Sequence, residues 1–140
     1  AALAALVADA GDAVRHRPAP DVWSALEYAA HVRDVALVIR DRVVLALVQD
    51  DPSFTMLHPD QRVDLGLYGA DRPEQVATEL SISTELLLRF LDPLSPEQLD
   101  RPCQYSWPEP TTRSIRWMAQ QCVHETEHHL DDARRSLASA

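Results

Sequence analysis

The sequence predicts an all-α protein, a four-helix bundle in a single domain spanning residues 1–140. Four segments carry apolar residues at helical spacing, and stretches that contain prolines separate them. Only 3 of the 140 residues are glycine, which is few for a protein built from sheets and tight turns. A chain of this length can bury one core but not two, so we expect one domain.

A short proline-containing break separates the first two helices. The first helix is predicted from Ala2 to Arg15. Pro18 and Pro20 follow, and they prevent the chain from continuing as a helix because proline lacks the backbone N–H and restricts the residue before it.

The second helix has the clearest start signal in the chain. Ser24 and Glu27 have the spacing of a capping box, in which each side chain accepts a hydrogen bond from the other residue's backbone N–H. Trp23 and Tyr28 flank this cap and predict a hydrophobic staple. No glycine or proline interrupts the segment that follows, so we expect the helix over Ala25–Val48.

Two long loops separate the remaining helices. Asp50–Pro73 is predicted as a loop that contains a short helix at Asp60–Leu65, and Asp92–Thr112 as a second loop. The third helix is expected over Glu74–Phe90 and the fourth over Ser114–Leu137. Such long connections are uncommon unless functional, so we expect them to line a pocket. A long connection can also return the chain along the bundle, so that the second and third helices run parallel.

The charge of the chain argues against nucleic acid and anionic membranes as partners. The formal net charge is -9 and the pI is about 5.0, whereas a protein that neutralises phosphates needs a basic surface. No run of about 18 apolar residues is present, so no membrane span is predicted. Cys103 and Cys122 are too few for a disulfide framework, and we expect them as free thiols in a reducing cytoplasmic environment.

A histidine-rich segment on the fourth helix offers two candidate pairs of metal ligands. Residues four apart share a helix face, so His124 can act with His128, or Glu125 with His129. A rotation of about 100° per residue places Glu125 and His129 at the edge of the apolar face and the other pair toward solvent. A site inside a bundle needs inward-facing ligands, which favours Glu125 and His129. The outer pair stays open as an alternative.

A metal ion needs a third protein ligand, and His31 is the best candidate. It lies in the second turn of the second helix, at the edge of the apolar stripe. With Glu125 and His129 it would give two histidines and one carboxylate, which suits zinc and also iron(II), nickel or manganese. Asp132 lies on the same side and is the candidate to hold a ring N–H or contact a substrate. Without a metal, His31 would be a hydrogen-bonded edge residue, and the histidine-rich segment a solvated polar face.

The other reactive and aromatic side chains have mainly structural interpretations. Cys122 is expected in the core, and Cys103 has no visible activating base. Arg113 and Arg116 begin the fourth helix and can steer an anionic substrate, although solvation at the surface is the simpler role. We expect surface positions for His16 and His58 and packing positions for Trp23, Trp107 and Trp117.

Two motifs resemble the DinB-like superfamily of metal-binding four-helix bundles. Trp23-Ser24-x-x-Glu27-x-x-x-His31 is similar to the family's usual start of the second helix, where a ligand histidine follows the tryptophan. The segment 124–133, HETEHHLDDA, is similar to the ending of the thiol-dependent branch, which includes mycothiol-dependent maleylpyruvate isomerases. In that branch a carboxylate and the histidine four residues later bind the metal. The resemblance therefore also selects Glu125 and His129.

The resemblance implies an up-down-down-up bundle that forms a homodimer and holds zinc or nickel in a cleft. It also implies that the metal takes up a low-molecular-weight thiol as thiolate, which attacks an electrophile. The resulting hypothesis is a metal-dependent, mycothiol-type thiol S-transferase that acts on small electrophiles. Two alternatives stay open. One is a metal-dependent hydrolase, and the other is a non-enzymatic, dimeric metal- or ligand-binding stress protein whose pocket Trp107 or Tyr105 fills.

Overall fold

The computed structural model describes residues 1–106 and 109–140, and this part of the chain is mostly helical. The predicted packing or pocket-filling role of Trp107 concerns a residue outside that part. Along the described chain the elements are α1 (Ala2–Asp9), a 3-10 helix (Gly11–Arg15), α2 (Ala25–Val48), β1 (Ser53–Phe54), α3 (Pro59–Asp64), α4 (Pro73–Leu91), α5 (Pro96–Leu99), β2 (Pro102–Tyr105), β3 (Thr111–Ser114) and α6 (Ile115–Leu137).

Helix α2 packs against both α4 and α6, and it begins and ends where the sequence predicts. The Ser24 hydroxyl accepts from the backbone N–H of Glu27, and the Glu27 carboxylate accepts from the backbone N–H of Ser24, so the capping box is present. The rings of Trp23 and Tyr28 lie on either side of the cap, 5.3 Å apart between centroids. Arg17 forms an ion pair with the buried Glu27 carboxylate.

Helix α4 runs parallel to α2, whereas α6 runs antiparallel to it. Arg33, near the start of α2, pairs with Glu79 in the first half of α4, and Arg40 further along lies over the ring of Phe90 near the end of α4. The start of α2 meets the C-terminal half of α6, since the rings of His31 and His129 lie 5.0 Å apart and Ser136 donates to the backbone carbonyl of Trp23. Helices α1, α2, α4 and α6 therefore form the predicted four-helix bundle with its up-down-down-up order.

The first helix is shorter than the sequence predicts. Helix α1 ends at Asp9, and Gly11 then adopts a φ of 58°, a left-handed conformation that glycine enters without a steric penalty. The predicted helix over Ala2–Arg15 is therefore an α-helix followed by a 3-10 helix. Val7 and Val14, on either side of the break, are both fully buried, which explains why the apolar pattern continues through it.

Helices α3, α4 and α6 begin and end within one residue of their predicted positions. Ser114 is the N-cap of α6, and its hydroxyl accepts from the backbone N–H of Trp117. None of the helices in residues 1–106 and 109–140 is long and apolar enough to cross a membrane.

A three-stranded sheet occupies the two segments that were predicted as loops without strands. β2 and β3 pair antiparallel, and β1 pairs parallel to β2, with Ser53 opposite Gln104 and Phe54 opposite Tyr105. Strands of 2 to 4 residues are too short for alternation to be visible in a sequence. Cys103 on β2 is fully buried, so the sheet closes the apolar core beside the second half of α2.

The core consists of two apolar clusters arranged along α2. The first joins α1, the first half of α2 and the first half of α4, and the second joins the rest of α2 to α6 and the sheet. His31 lies on α2 next to Val32, whose side chain belongs to the first cluster. Trp23, Tyr28 and Leu130 pack against the same cluster and are themselves only partly buried. The polar residues between α2 and α6 therefore lie against an apolar cluster, and the residues beside them are partly exposed to solvent.

Candidate metal centre

The antiparallel contact between α2 and α6 brings His31, Glu125 and His129 together. One ligand atom from each of the three side chains lies within 4.8 Å of the others. Glu125 Oε2 is 3.2 Å from His129 Nε2 and 3.9 Å from His31 Nε2. The capping box fixes the start of α2, and His31 follows Glu27 by one helical turn, so the local signal for the helix also sets the position of this histidine.

Glu125 is held in its ionised form by the groups around it. The neighbouring imidazoles, His129 first and then His31, lower its pKa well below the usual range, although burial acts in the opposite direction. Gln121, one turn earlier on α6, donates from Nε2 to Glu125 Oε1 at 2.8 Å. A deprotonated carboxylate is the form that binds a metal ion.

His129 is fixed in place by hydrogen bonds and by aromatic rings. Its Nδ1 lies 3.0 Å from Asp132 Oδ2, while its Nε2 faces Glu125. The rings of Tyr28 and Trp23 stack on it, with centroid distances of 5.3 and 6.2 Å. Burial opposes a charge on this ring, but the two carboxylates outweigh burial and raise the pKa of His129. Asp132 thus orients the imidazole with Nε2 toward the other two candidate ligands.

The environment of His31 tests whether a metal fits this arrangement. The side chain is buried, and among the described residues its Nδ1 has no hydrogen-bond partner. Its Nε2 lies 3.9 Å from the nearest Glu125 oxygen, which is longer than a hydrogen bond. Because His31 Nε2 faces the Glu125 carboxylate without a hydrogen bond to it, this nitrogen is free to bind an ion. Two imidazoles and a carboxylate form a donor set suited to zinc, so the three residues fit a metal that would be held through Nε2 of His31.

The alternative pair, His124 and His128, lies on the outer face of α6. Both residues are exposed, and their rings stack on each other with centroids 6.0 Å apart. The side chain of His128 is 60% exposed, against 14% for His129. His31 therefore faces the Glu125/His129 pair and not the outer pair.

Neither cysteine offers a nucleophile to this site. Cys122 is buried, as predicted, and Cys103, which was predicted as a loop thiol, is buried on β2; burial raises the pKa of each thiol to about 11. A thiolate is the reactive form of cysteine, so these two side chains are unreactive near neutral pH.

The other predicted candidates lie away from the three ligand residues. Arg113 covers the ring of Trp117, and Arg116 pairs with Asp100 on the surface. Tyr105 packs between Phe54 and Trp117 beside the sheet. His16 and His58 are exposed, as predicted.

Reasoning from the sequence did not assign three residues to this site. Gln121 precedes Glu125 by one helical turn, so its spacing alone could have identified it. Trp23 and Tyr28 were assigned to the helix cap, where they do lie, but their contacts with His129 depend on how α6 packs on α2.

The comparison with family models agrees with this geometry. A model of the DinB superfamily matches residues 1–133. The chain belongs to the DinB superfamily. A search of curated proteins finds no match.

One solved structure has the same fold as this chain over most of the length of both proteins. It is YfiT from Bacillus subtilis, described as a probable metal-dependent hydrolase with an unusual four-helix bundle topology. The two share 15% sequence identity and superpose with a TM-score of 0.76 over 96% of this chain and 79% of YfiT. At this identity the similarity establishes the fold.

Proposed function

We propose that this DinB-superfamily protein is a metal-dependent enzyme that transfers a low-molecular-weight thiol to small electrophiles. The observation that carries the proposal is the convergence of His31, Glu125 and His129 within 4.8 Å across two helices. Zinc is the first choice for this donor set, and nickel, iron(II) and manganese are the others. When bound, such an ion acts as a Lewis acid that lowers the pKa of a coordinated thiol or water.

The protein's own residues position the reaction. His31, Glu125 and His129 would hold the ion and leave further coordination positions open. Asp132 accepts from His129 Nδ1 and keeps Nε2 directed inward, which makes it a positioning residue. Trp23 and Tyr28 cover the ring of His129 and keep water from that side.

The nucleophile must come from outside the chain. Both cysteines are buried with raised pKa values, which supports a thiol co-substrate and not a protein thiol. In the proposed transfer the sulfur of this thiol bonds to the electrophilic carbon, the leaving group departs from that carbon, and the thiol proton is released to solvent.

Metal content and turnover together test the proposed function. Mass spectrometry of tag-free protein should find about one tightly bound equivalent of metal at the inner centre. Loaded protein given mycothiol, with N-acetylcysteine as a comparison thiol, should accelerate the fluorescence increase from monochlorobimane over the metal-free protein. Equal rates for loaded and metal-free protein would refute the transferase.

A metal-dependent hydrolase is the second candidate, and the description of YfiT supports it. Hydrolysis of p-nitrophenyl esters by the loaded protein without any thiol would favour this candidate. Tight metal binding without turnover in either assay would favour a non-enzymatic metal-binding protein.

We further propose that the protein works as a homodimer in the cytoplasm. A groove between α4 and α6 has an apolar lining, and Leu88 and Val123 on its walls are 49% and 58% exposed. Such a face is suited to a second copy of the chain. Light scattering coupled to size exclusion should give twice the mass of the chain, and the monomer mass would contradict this.

Asp132→Asn provides a separate test of the positioning role. Asparagine can still accept from His129 Nδ1 but carries no charge, so we expect the affinity for the first metal equivalent to fall by about 10- to 100-fold. Competition with a chromogenic chelator measures this. Asp131→Asn is the matched control, since Asp131 is exposed and pairs with Arg134. Equal metal affinities in the two variants would show that Asp132 does not position His129 for metal binding.

A further inference from the structure

The outer face of α6 carries a row of ligand side chains that begins outside the inner centre and ends at Asp132, which the two share. His124, His128 and Asp132 follow one another at intervals of one helical turn. His128 Nε2 lies 3.5 Å from Asp132 Oδ2, and the ring of His124 stacks on that of His128. The ligand atoms of His128, Asp132 and His129 also lie within 4.8 Å of one another.

We propose that His128 and Asp132, with His124 one turn earlier, form a second binding site for a divalent metal ion. Two imidazoles and a carboxylate on one helix face supply the nitrogen and oxygen donors that zinc and nickel accept. Both histidines are exposed, so an ion reaches them from solvent without any opening of the bundle.

The charges on this part of α6 are mixed. Arg134 pairs with Asp131, and Arg135 pairs with Asp132 through Oδ1, which leaves Oδ2 of Asp132 facing the histidines. Glu127, next to His128, is an exposed carboxylate. The chain as a whole carries a formal net charge of -9, and negative surface potential raises the local concentration of cations.

Asp132 connects this outer site to the inner centre. Its Oδ2 is 3.0 Å from His129 Nδ1 and 3.5 Å from His128 Nε2, so a single carboxylate oxygen faces both sites. An ion at the outer site would be bound by the same Asp132 carboxylate that orients His129. The inner site therefore fills first, and the outer site takes the second equivalent with lower affinity.

Zinc titrations of the metal-free protein against a chromogenic indicator test this proposal. The unmodified protein should bind two equivalents, and His124→Ala/His128→Ala should bind one. His31→Ala/Glu125→Gln, which leaves His129 and Asp132 intact, should also bind one. The control, His16→Ala/His58→Asn, removes two exposed histidines elsewhere and should still bind two; asparagine tolerates the positive φ of 55° at position 58.

The outcomes separate the outer site from the proposed function. If the unmodified protein binds one equivalent and His124→Ala/His128→Ala keeps it, the outer site is wrong and the inner centre stands. If the unmodified protein binds one equivalent and His124→Ala/His128→Ala binds none, the outer site is confirmed. The inner centre then binds no metal, and the proposed function is wrong. Because the exposed histidines contribute little to the core, circular dichroism of that variant should match the unmodified protein.

Discussion

Replacing Glu125 with glutamine is expected to weaken binding of the first metal equivalent by more than about 100-fold. Loss of a residue that merely supports a ligand already costs about 10- to 100-fold, and Glu125 is itself the candidate ligand and the only anion in the set of three. Glutamine preserves the shape of the side chain but removes the charge. Isothermal titration with zinc, or competition with a chelator of known affinity, measures the change.

Glu127→Gln is the matched control for this experiment. Glu127 lies two residues further along α6, is exposed, and points away from His31 and His129. The Glu127→Gln variant should bind the first metal equivalent with unchanged affinity. If the two variants behave alike, Glu125 is not a ligand and the inner centre would have to be abandoned.

Glu27→Ala is expected to lower the free energy of unfolding by about 2–3 kcal/mol. Glu27 is 4% exposed, and its carboxylate accepts from the backbone N–H and hydroxyl of Ser24 and from Arg17. The substitution removes half of the capping box and leaves these donors without their acceptor. Urea unfolding followed by circular dichroism measures the loss. The control is Glu74→Ala, since Glu74 is an exposed residue in the first turn of α4, and it should change stability by less than about 0.5 kcal/mol.

The stability difference between the unmodified protein and Glu27→Ala should depend on pH. Burial opposes the charge on Glu27, but the hydrogen bonds from Arg17 and Ser24 lower its pKa below the usual 4.5. A group with a lowered pKa stabilises the fold above its ordinary pKa, and this contribution is lost as pH falls through the lowered value. The difference should therefore be constant above about pH 5 and shrink below pH 4.5. A difference that stays constant down to pH 3 would show that packing, and not the ionised carboxylate, causes the effect.

The bundle could be predicted from the sequence where local signals are strong. The cap at Ser24 defines the start of α2, and the rotation of successive residues on α6 puts Glu125 and His129 on the side that faces His31. Both inferences depend on residues close together in the chain, so one sequence contains the necessary information.

The sheet could not be predicted, because its pairing depends on distant segments. Ser53 pairs with Gln104, and neither strand is long enough to show an alternating pattern. The end of α1 was missed for a different reason. Gly11 permits a left-handed backbone without requiring it, and because Val7 and Val14 on either side are both buried, the apolar pattern does not reveal the break.

The burial of both cysteines has a consequence for the proposed transfer of a thiol to alkylating compounds. Such compounds react first with thiolates and unprotonated amines. Cys103 and Cys122 are buried, and the sequence contains no lysine, since all 13 basic residues are arginine. Guanidinium groups remain protonated and are poor nucleophiles. The protein thus offers no exposed thiol and no lysine amine to its proposed substrates, and the side chains that such compounds would alkylate first are its exposed histidines.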